Sequence, residues 1–155
     1  MTNNYDNVFV VLHNVHAVSK VIETAQVVYG LGFKNFVVSR AAGSAAQTGV
    51  PDANRLALKM KRNFMVLPDL VDVKELLDIE QPVIIPSPVL TKERLDLDTV
   101  SKDIKSGERI VIVVSGSNSS FSRKEMDMGI CRSLHADVDI GPAGTIAVIL
   151  YHSLI

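Results

Sequence analysis

The chain has 155 residues, 47% hydrophobic and 21% charged, the composition of one globular domain with a sizeable core. Its net charge of −1 carries no overall basic signature for nucleic acid, and 5% aromatics without tryptophan make the core aliphatic. A lone cysteine, Cys131, excludes an internal disulfide or a thiolate metal cluster, and no apolar run nears the ~18–20 residues that span a bilayer.

The polar start, MTNNYDN, lacks the basic flank of a secretory signal, so a single cytoplasmic domain over 1–155 is expected. The charge is uneven. Residues 1–68 carry seven Lys/Arg against three Asp/Glu, whereas residues 69–108 carry five against ten. One face could thus attract a polyanion that another repels.

In chain order, short β-branched runs alternate with helical patterns. Asn7–Leu12 reads as a strand. Val15, Val18, Val21/Ile22, Ala25 and Val28/Tyr29 then recur at helical spacing, with Asn14 as N-cap and Gly30 and Gly32 as the stop. Phe36–Val38 is a second strand, and the small-residue stretch from Ala41 leads into a second helix ending near Arg62. Phe64–Leu67 is a strand ended by Pro68, Leu70–Ile79 a helix, and Val83–Ile85 a strand closed by Pro86-Ser87-Pro88. Residues 91–108 read as a charged surface connection with room for one short helix. Arg109–Val114 is the strongest strand. After the loop SGSNSS, Phe121–His135 reads as helix with Cys131 packed inside it, Val138–Ile140 as a short strand, and Thr145–Ile155 as a terminal apolar helix. Strands this uniformly aliphatic suit a parallel sheet sandwiched by helices, an α/β fold that binds ligands beyond its C-terminal strand ends.

Several groups at those ends invite chemistry. His13 and His16 flank a strand–helix junction, but two imidazoles alone are not a metal site, so no metal is assigned. The loop Ser115-Gly116-Ser117-Asn118 would let a ligand approach the backbone closely, yet it is neither a P-loop nor GxGxxG. Arg55, Lys59 and Arg62 share a helical face, and with Arg40 they could contact phosphates. A carboxylate–lysine nuclease would need Glu-x-Lys on a strand, and the chain contains no Glu-x-Lys.

Three segments in order resemble the SPOUT superfamily of RNA methyltransferases, particularly its SpoU branch. They are Asn14-Val15-His16-Ala17-Val18-Ser19-Lys20, the strand-to-loop run IVIVVSGSNSSFS at 110–122, and VDIGPAGTIAVILYHSL at 138–154. The resemblance implies an α/β knot with a C-terminal trefoil knot. It also implies S-adenosyl-L-methionine held by Pro86, Ser87 and Pro88, by Ser115, Gly116 and Ser117, and by Ile140, Gly141, Pro142, Thr145 and Ile146. A homodimer through the first and last helices is implied too. Catalytic positions would fall on Asn14, Lys20 and Asn118, with RNA (tRNA or rRNA) reaching Arg40, Arg55, Lys59 and Arg62. The departures lie on catalysis: the family's arginine is Lys20 here, its glutamate Asn118, and its Ser-Leu-Asn-Val becomes Thr145-Ile146-Ala147-Val148. The leading expectation is therefore an S-adenosylmethionine-dependent RNA 2′-O-methyltransferase. A catalytically degenerate SPOUT nucleoside- or RNA-binding module comes second, and a nuclease third, for want of the acidic–lysine motif.

Overall fold

The computed structural model describes residues 5–118 and 120–155, so the first four residues of the polar start and Ser119 of the small-residue loop lie outside the described residues. Six strands, β1 (Tyr5–Val15), β2 (Phe33–Ala41), β3 (Asn63–Leu67), β4 (Val83–Ile85), β5 (Ile110–Ser115) and β6 (Ile130–Cys131), form one sheet in the order β3-β2-β1-β5-β4-β6. Every pairing is parallel, as the uniformly aliphatic runs predict. β1 and β2 extend well past the expected segments because each is flanked by a strand on both sides, and the ladder continues through polar residues such as His13 and Ser39.

Among the described residues five α-helices connect the strands, α1 (Val18–Gly30), α2 (Val50–Met60), α3 (Leu70–Leu77), α4 (Leu97–Ser106) and α5 (Arg123–Met126), and α6 (Pro142–His152) follows β6. A π-helical turn, Ala45–Gly49, leads into α2. α1 buries Val21, Thr24, Ala25, Val28 and Tyr29, the i, i+3, i+4, i+7, i+8 stripe of an amphipathic helix, and ends at Gly30 with Gly32 in the left-handed region. Its N-cap is Ala17 rather than Asn14, because β1 runs on through Val15 and Asn14 belongs to the strand end. Residues 91–108 do contain one helix, α4, capped by Asp96.

Strand alternation divides the core. Val8, Val10, Leu12, Phe36, Val38, Ile112 and Val114 join α1, α2 and α6 residues on one face. On the other, Val11, Val37, Val111 and Val113 pack with Leu70, Val73 and Leu77 of α3 and with Phe121.

Two expectations in the last third are corrected. Phe121–His135 is not one helix: only α5 forms, and the chain then extends into β6, so Cys131 sits in an edge strand. Its Sγ donates to the Met126 carbonyl (3.3 Å), and burial pushes its thiol pKa up. The free edge of β4 is the reason, since Ile130 N–H donates to Pro82 O (2.9 Å) and Arg132 N–H to Ile84 O (3.0 Å), bonds a helix would forgo. Val138–Ile140 is not a strand either. Asp139 Oδ1 accepts from Gly141 N–H (2.8 Å), making a turn that starts α6. α6 buries Thr145, Ile146, Ile149 and Leu150 against α1, α4 and β5. No helix among the described residues is long and apolar enough to cross a membrane.

Candidate metal centre

A parallel sheet delivers all its strand C-termini to one edge, and here the register sets Leu67, Ser39, His13 and Ser115 side by side on β3, β2, β1 and β5. His13 and Ser39 lie two residues beyond Val11 and Val37, so both side chains face the α3 side. The next residues, Asn14 and Arg40, lie opposite each other and both take left-handed backbone, with φ of 60° and 50°. That is uncommon outside glycine and marks a matched break in two neighbouring strands, a form of strain that collects at functional sites.

Two carboxylates meet this row, each supplied by a helix start. Asp69 caps α3, its Oδ1 accepting from Leu70 N–H (2.7 Å), while Asp72 Oδ2 accepts from Asp69 N–H (2.9 Å). Glu125 closes the capping box of α5: its Oε1 accepts from Ser122 N–H (2.9 Å), and Ser122 Oγ accepts from Glu125 N–H (3.2 Å). These bonds fix the backbone around both carboxylates and turn Glu125 Oε2, the oxygen free of the box, and Asp69 Oδ1, which also accepts from Leu70, toward His13. His13 Nε2 is hydrogen-bonded to Glu125 Oε2 and lies 4.0 Å from Asp69 Oδ1. One donor atom from each of His13, Asp69 and Glu125 falls within 4.8 Å of the others. His13 is fully buried, with its ring stacked 6.1 Å from that of Phe121, and Glu125 is nearly so, while Asp69 opens to solvent. Arg40 reaches across the opening, with Nη2 donating to both Asp69 oxygens (2.9 and 3.0 Å) and Nη1 lying 3.2 Å from Glu125 Oε2.

The protonation states suit a cation. Burial, only partly offset by the Glu125 hydrogen bond and charge, pushes the His13 pKa below its ordinary 6.5, so the imidazole is neutral at pH 7. Burial works to raise Asp69, but the Arg40 hydrogen bond and the Leu70 amide outweigh it and hold the carboxyl below 3.8. In Glu125 burial is likewise outweighed, by the Ser122 amide and the His13 hydrogen bond, leaving it below 4.5. With Glu125 ionised, His13 Nε2–H donates to it and Ser39 O–H donates to Nδ1 across 2.8 Å. A hydroxyl both donates and accepts, so Ser39 can equally accept from Nδ1–H and leave the Nε2 lone pair for a metal. One imidazole nitrogen and two carboxylate oxygens, with an open side, are a donor set for a divalent cation such as Mn²⁺.

These shifts predict two stages of acid destabilisation. Below about pH 6.5 the unfolded chain binds a proton at His13 that the folded chain refuses, so stability falls until the lowered folded pKa is reached. The depressed carboxylates contribute stability that is lost only as pH drops below about 4.5. Melting temperature against pH should show both stages, and His13→Gln should lack the first. An unchanged first stage in that variant would remove His13 as its source.

The other anticipated residues disperse. Lys20 lies in the first turn of α1 and enters no ion pair among the described residues, and Asn118 is exposed in the turn after β5. Arg55, on the exposed face of α2, pairs with Asp52, Lys59 points outward, and Arg62 folds back to donate to the Met60 carbonyl (3.3 Å). Of the positions expected to hold S-adenosylmethionine, Pro86, Pro88, Ile140 and Thr145 do share a cavity, with Ile85, Leu134, Ala136, Val138 and Asp139. Its volume is about 20 Å³, whereas a ligand of that size needs roughly 300 Å³ or more, so the residues as they stand do not fit that cofactor. Ser87 lies at the start of the turn beyond β4, and Gly141, Pro142 and Ile146 are taken up in forming α6. Ser115, Gly116 and Ser117 point elsewhere: Gly116 packs so closely on Val15 that a Cβ would lie 2.6 Å from the valine Cβ, and Ser115 Oγ donates to the Ser117 carbonyl (3.1 Å). Asp69 and Glu125 were the residues the sequence did not single out. The one signal for each was a helix-start pattern, Asp69-x-x-Asp72 and Ser122-x-x-Glu125, which reads as capping.

Residues 43–152 match the family model described as "RecB-family nuclease (DUF2122)". The Methanocaldococcus jannaschii protein named "Putative type II restriction enzyme MjaORF1200P" is 30% identical over 92% of this chain and 93% of its own length. The Aeropyrum pernix protein named "Putative type II restriction enzyme ApeKORF2002P" is 37% identical over 93% of this chain and 90% of its own. By structure, the chain is similar to a probable methyltransferase from Bordetella pertussis Tohama I (TM-score 0.74, 14% identity, all of both chains). It is also similar to the SpoU methyltransferase AviRb from Streptomyces viridochromogenes in complex with AdoMet (TM-score 0.68, 12% identity, 96% of this chain and 60% of that one). The α/β fold with a parallel sheet expected from the three segments is therefore shown and matches those of SpoU-type methyltransferase structures, and at these identities the likeness extends to fold alone. The expected RNA methyltransferase function is corrected: the matching family model is described as a RecB-family nuclease, and both curated relatives are named as putative type II restriction enzymes.

Proposed function

The chain belongs to the RecB-family nuclease (DUF2122) family, and from that membership we propose that it is a divalent-cation-dependent nuclease hydrolysing DNA phosphodiesters at the His13–Asp69–Glu125 centre. The observation that carries the reading is the convergence of a neutral buried imidazole and two ionised carboxylates at the C-terminal strand edge. The missing Glu-x-Lys, which had ranked a nuclease last, loses its force because the acidic groups come from separate helix starts. His13 Nε2, Asp69 and Glu125 would hold the cation. When bound, it would supply Lewis-acid charge at the scissile phosphate and activate a water there.

The chain's own groups do the rest. Ser39 fixes the His13 ring, the Ser122 amide holds Glu125 in place, and Phe121 shields the imidazole from water. Asp69, open to solvent, sits where a substrate would enter. The small volume of the cavity at Pro86 and Ile140 supports a reading in which S-adenosylmethionine has no part. Exposed Val148, Tyr151, Leu154 and Ile155 on and beyond α6 support the dimer expected through the first and last helices. The return of α6 from edge strand β6 to pack on α1 and β5 supports the expected C-terminal knot.

Calorimetry with Mn²⁺ and cleavage of duplex DNA, single-stranded DNA and RNA test the reading together. Cation binding with metal-dependent DNA cleavage is expected. Cleavage of RNA alone would change the substrate, and no binding at millimolar Mn²⁺ would overturn the proposal.

A further inference from the structure

The guanidinium of Arg40 occupies the same atoms a cation would need. Asp69 Oδ1, which faces His13 Nε2 at 4.0 Å, accepts from Arg40 Nη2 at 2.9 Å. Glu125 Oε2, hydrogen-bonded to the same imidazole nitrogen, lies 3.2 Å from Arg40 Nη1. A divalent ion between the three donors would share both oxygens with a second positive charge at contact distance, so the two cations repel and compete. His13 and Glu125 are buried, and Asp69, though 41% exposed, is held by its bonds with Leu70 and Asp72. The Arg40 side chain, by contrast, is 44% exposed and among the described residues has no such bond to its own strand end. Only Arg40 can leave.

It has somewhere to go. A cleft of about 320 Å³ opens beside it, lined by Ala41, Ala46, Val50, Val66 and Leu67, with Arg40 as its charged wall. The left-handed backbone at Arg40 (φ 50°) sets its side chain between the carboxylates and this cleft.

We propose that Arg40 is a resident surrogate cation, which closes the two carboxylates in the metal-free protein and is displaced by a divalent ion to bind a substrate phosphate. The inference rests on the reading of His13, Asp69 and Glu125 as a metal centre. It gives the site an order of events: the metal releases the guanidinium, and the released fork is the group that matches a phosphodiester in two hydrogen bonds. Phosphate binding then depends on metal loading, and apo protein binds DNA weakly.

Calorimetric titration of wild type and Arg40→Gln with Mn²⁺ reads the competition directly. The variant should bind Mn²⁺ at least about tenfold more tightly, and Arg40→Lys, which keeps the charge without the fork, should fall between. With Ca²⁺ present, the affinity of Arg40→Gln for a non-cleavable phosphorothioate duplex should drop at least about tenfold. If Arg40→Gln does not fold, Arg40→Lys carries both measurements with smaller shifts of the same signs. Equal or weaker Mn²⁺ binding by the variants, with wild-type binding intact, would overturn the displacement and leave the metal centre standing. Unchanged phosphorothioate affinity would overturn the transfer of Arg40 to phosphate. No Mn²⁺ binding by any of the three proteins would overturn this inference and the metal centre together.

Discussion

Glu125→Gln should abolish measurable Mn²⁺ binding and lower metal-dependent DNA cleavage on the order of 10³-fold, about 4 kcal/mol of transition-state stabilisation. The centre has three protein donors, and this substitution replaces the buried anionic one with a neutral amide. Fold integrity should survive. The amide oxygen can keep the Ser122 N–H bond, and the amide N–H₂ can donate to His13 Nε2 once the imidazole turns its other nitrogen's proton toward Ser39. Melting within a few degrees of wild type would show that the loss is chemical. Asp127→Asn, two residues on and exposed, is the control and should leave both binding and cleavage unchanged. A Glu125→Gln protein that cleaves at the wild-type rate would remove Glu125 from the reaction.

Gly129→Ala should be the most damaging single methyl in the fold, costing about 3 kcal/mol or more. A Cβ there would meet the Pro82 carbonyl oxygen at 2.1 Å, and that oxygen accepts the Ile130 N–H bond (2.9 Å) that docks β6 on β4. Both partners are backbone, so the clash is relieved only by moving a strand. Chemical denaturation should show the lower midpoint, with Gly30→Ala, which meets nothing within 4 Å, as the tolerant comparison. Because β6 follows directly on α5, displacing it should also disturb Glu125, and Mn²⁺ affinity should fall along with stability. A Gly129→Ala protein as stable as wild type would mean that β6 is not held at this distance.

Fold and chemistry separate in this protein for an identifiable reason. The sheet resembles those of SpoU methyltransferases, yet the cavity beside Pro86, where the resemblance places a nucleoside, has a volume of only about 20 Å³, and the charged groups gather on the far side of β5, at the ends of β1 and β2. An α/β sheet offers its whole C-terminal strand edge to ligands, and which part of it becomes a site depends on the side chains placed there. His13 illustrates this. It immediately precedes the segment Asn14–Lys20 that resembles the first methyltransferase motif, and that resemblance drew attention to Asn14 and Lys20, both beyond it in the chain.

The sequence by itself determined the α/β class, the parallel sheet, most of the element order, and the strand Val83–Ile85 to the residue, because hydrophobic period and turn residues are local properties. It also pointed to the loops following strands, the end of the sheet at which the candidate centre gathers. Only tertiary structure decided which residues meet there. His13 and Glu125 stand 112 positions apart, and the capping boxes that place Asp69 and Glu125 read along the chain as ordinary helix starts. The extended segment at Ile130–Cys131 was likewise decided by the unpaired edge of β4, which no local pattern records. Long-range strand pairing and charge convergence are set by register across the sheet, and register exists only once the chain has folded.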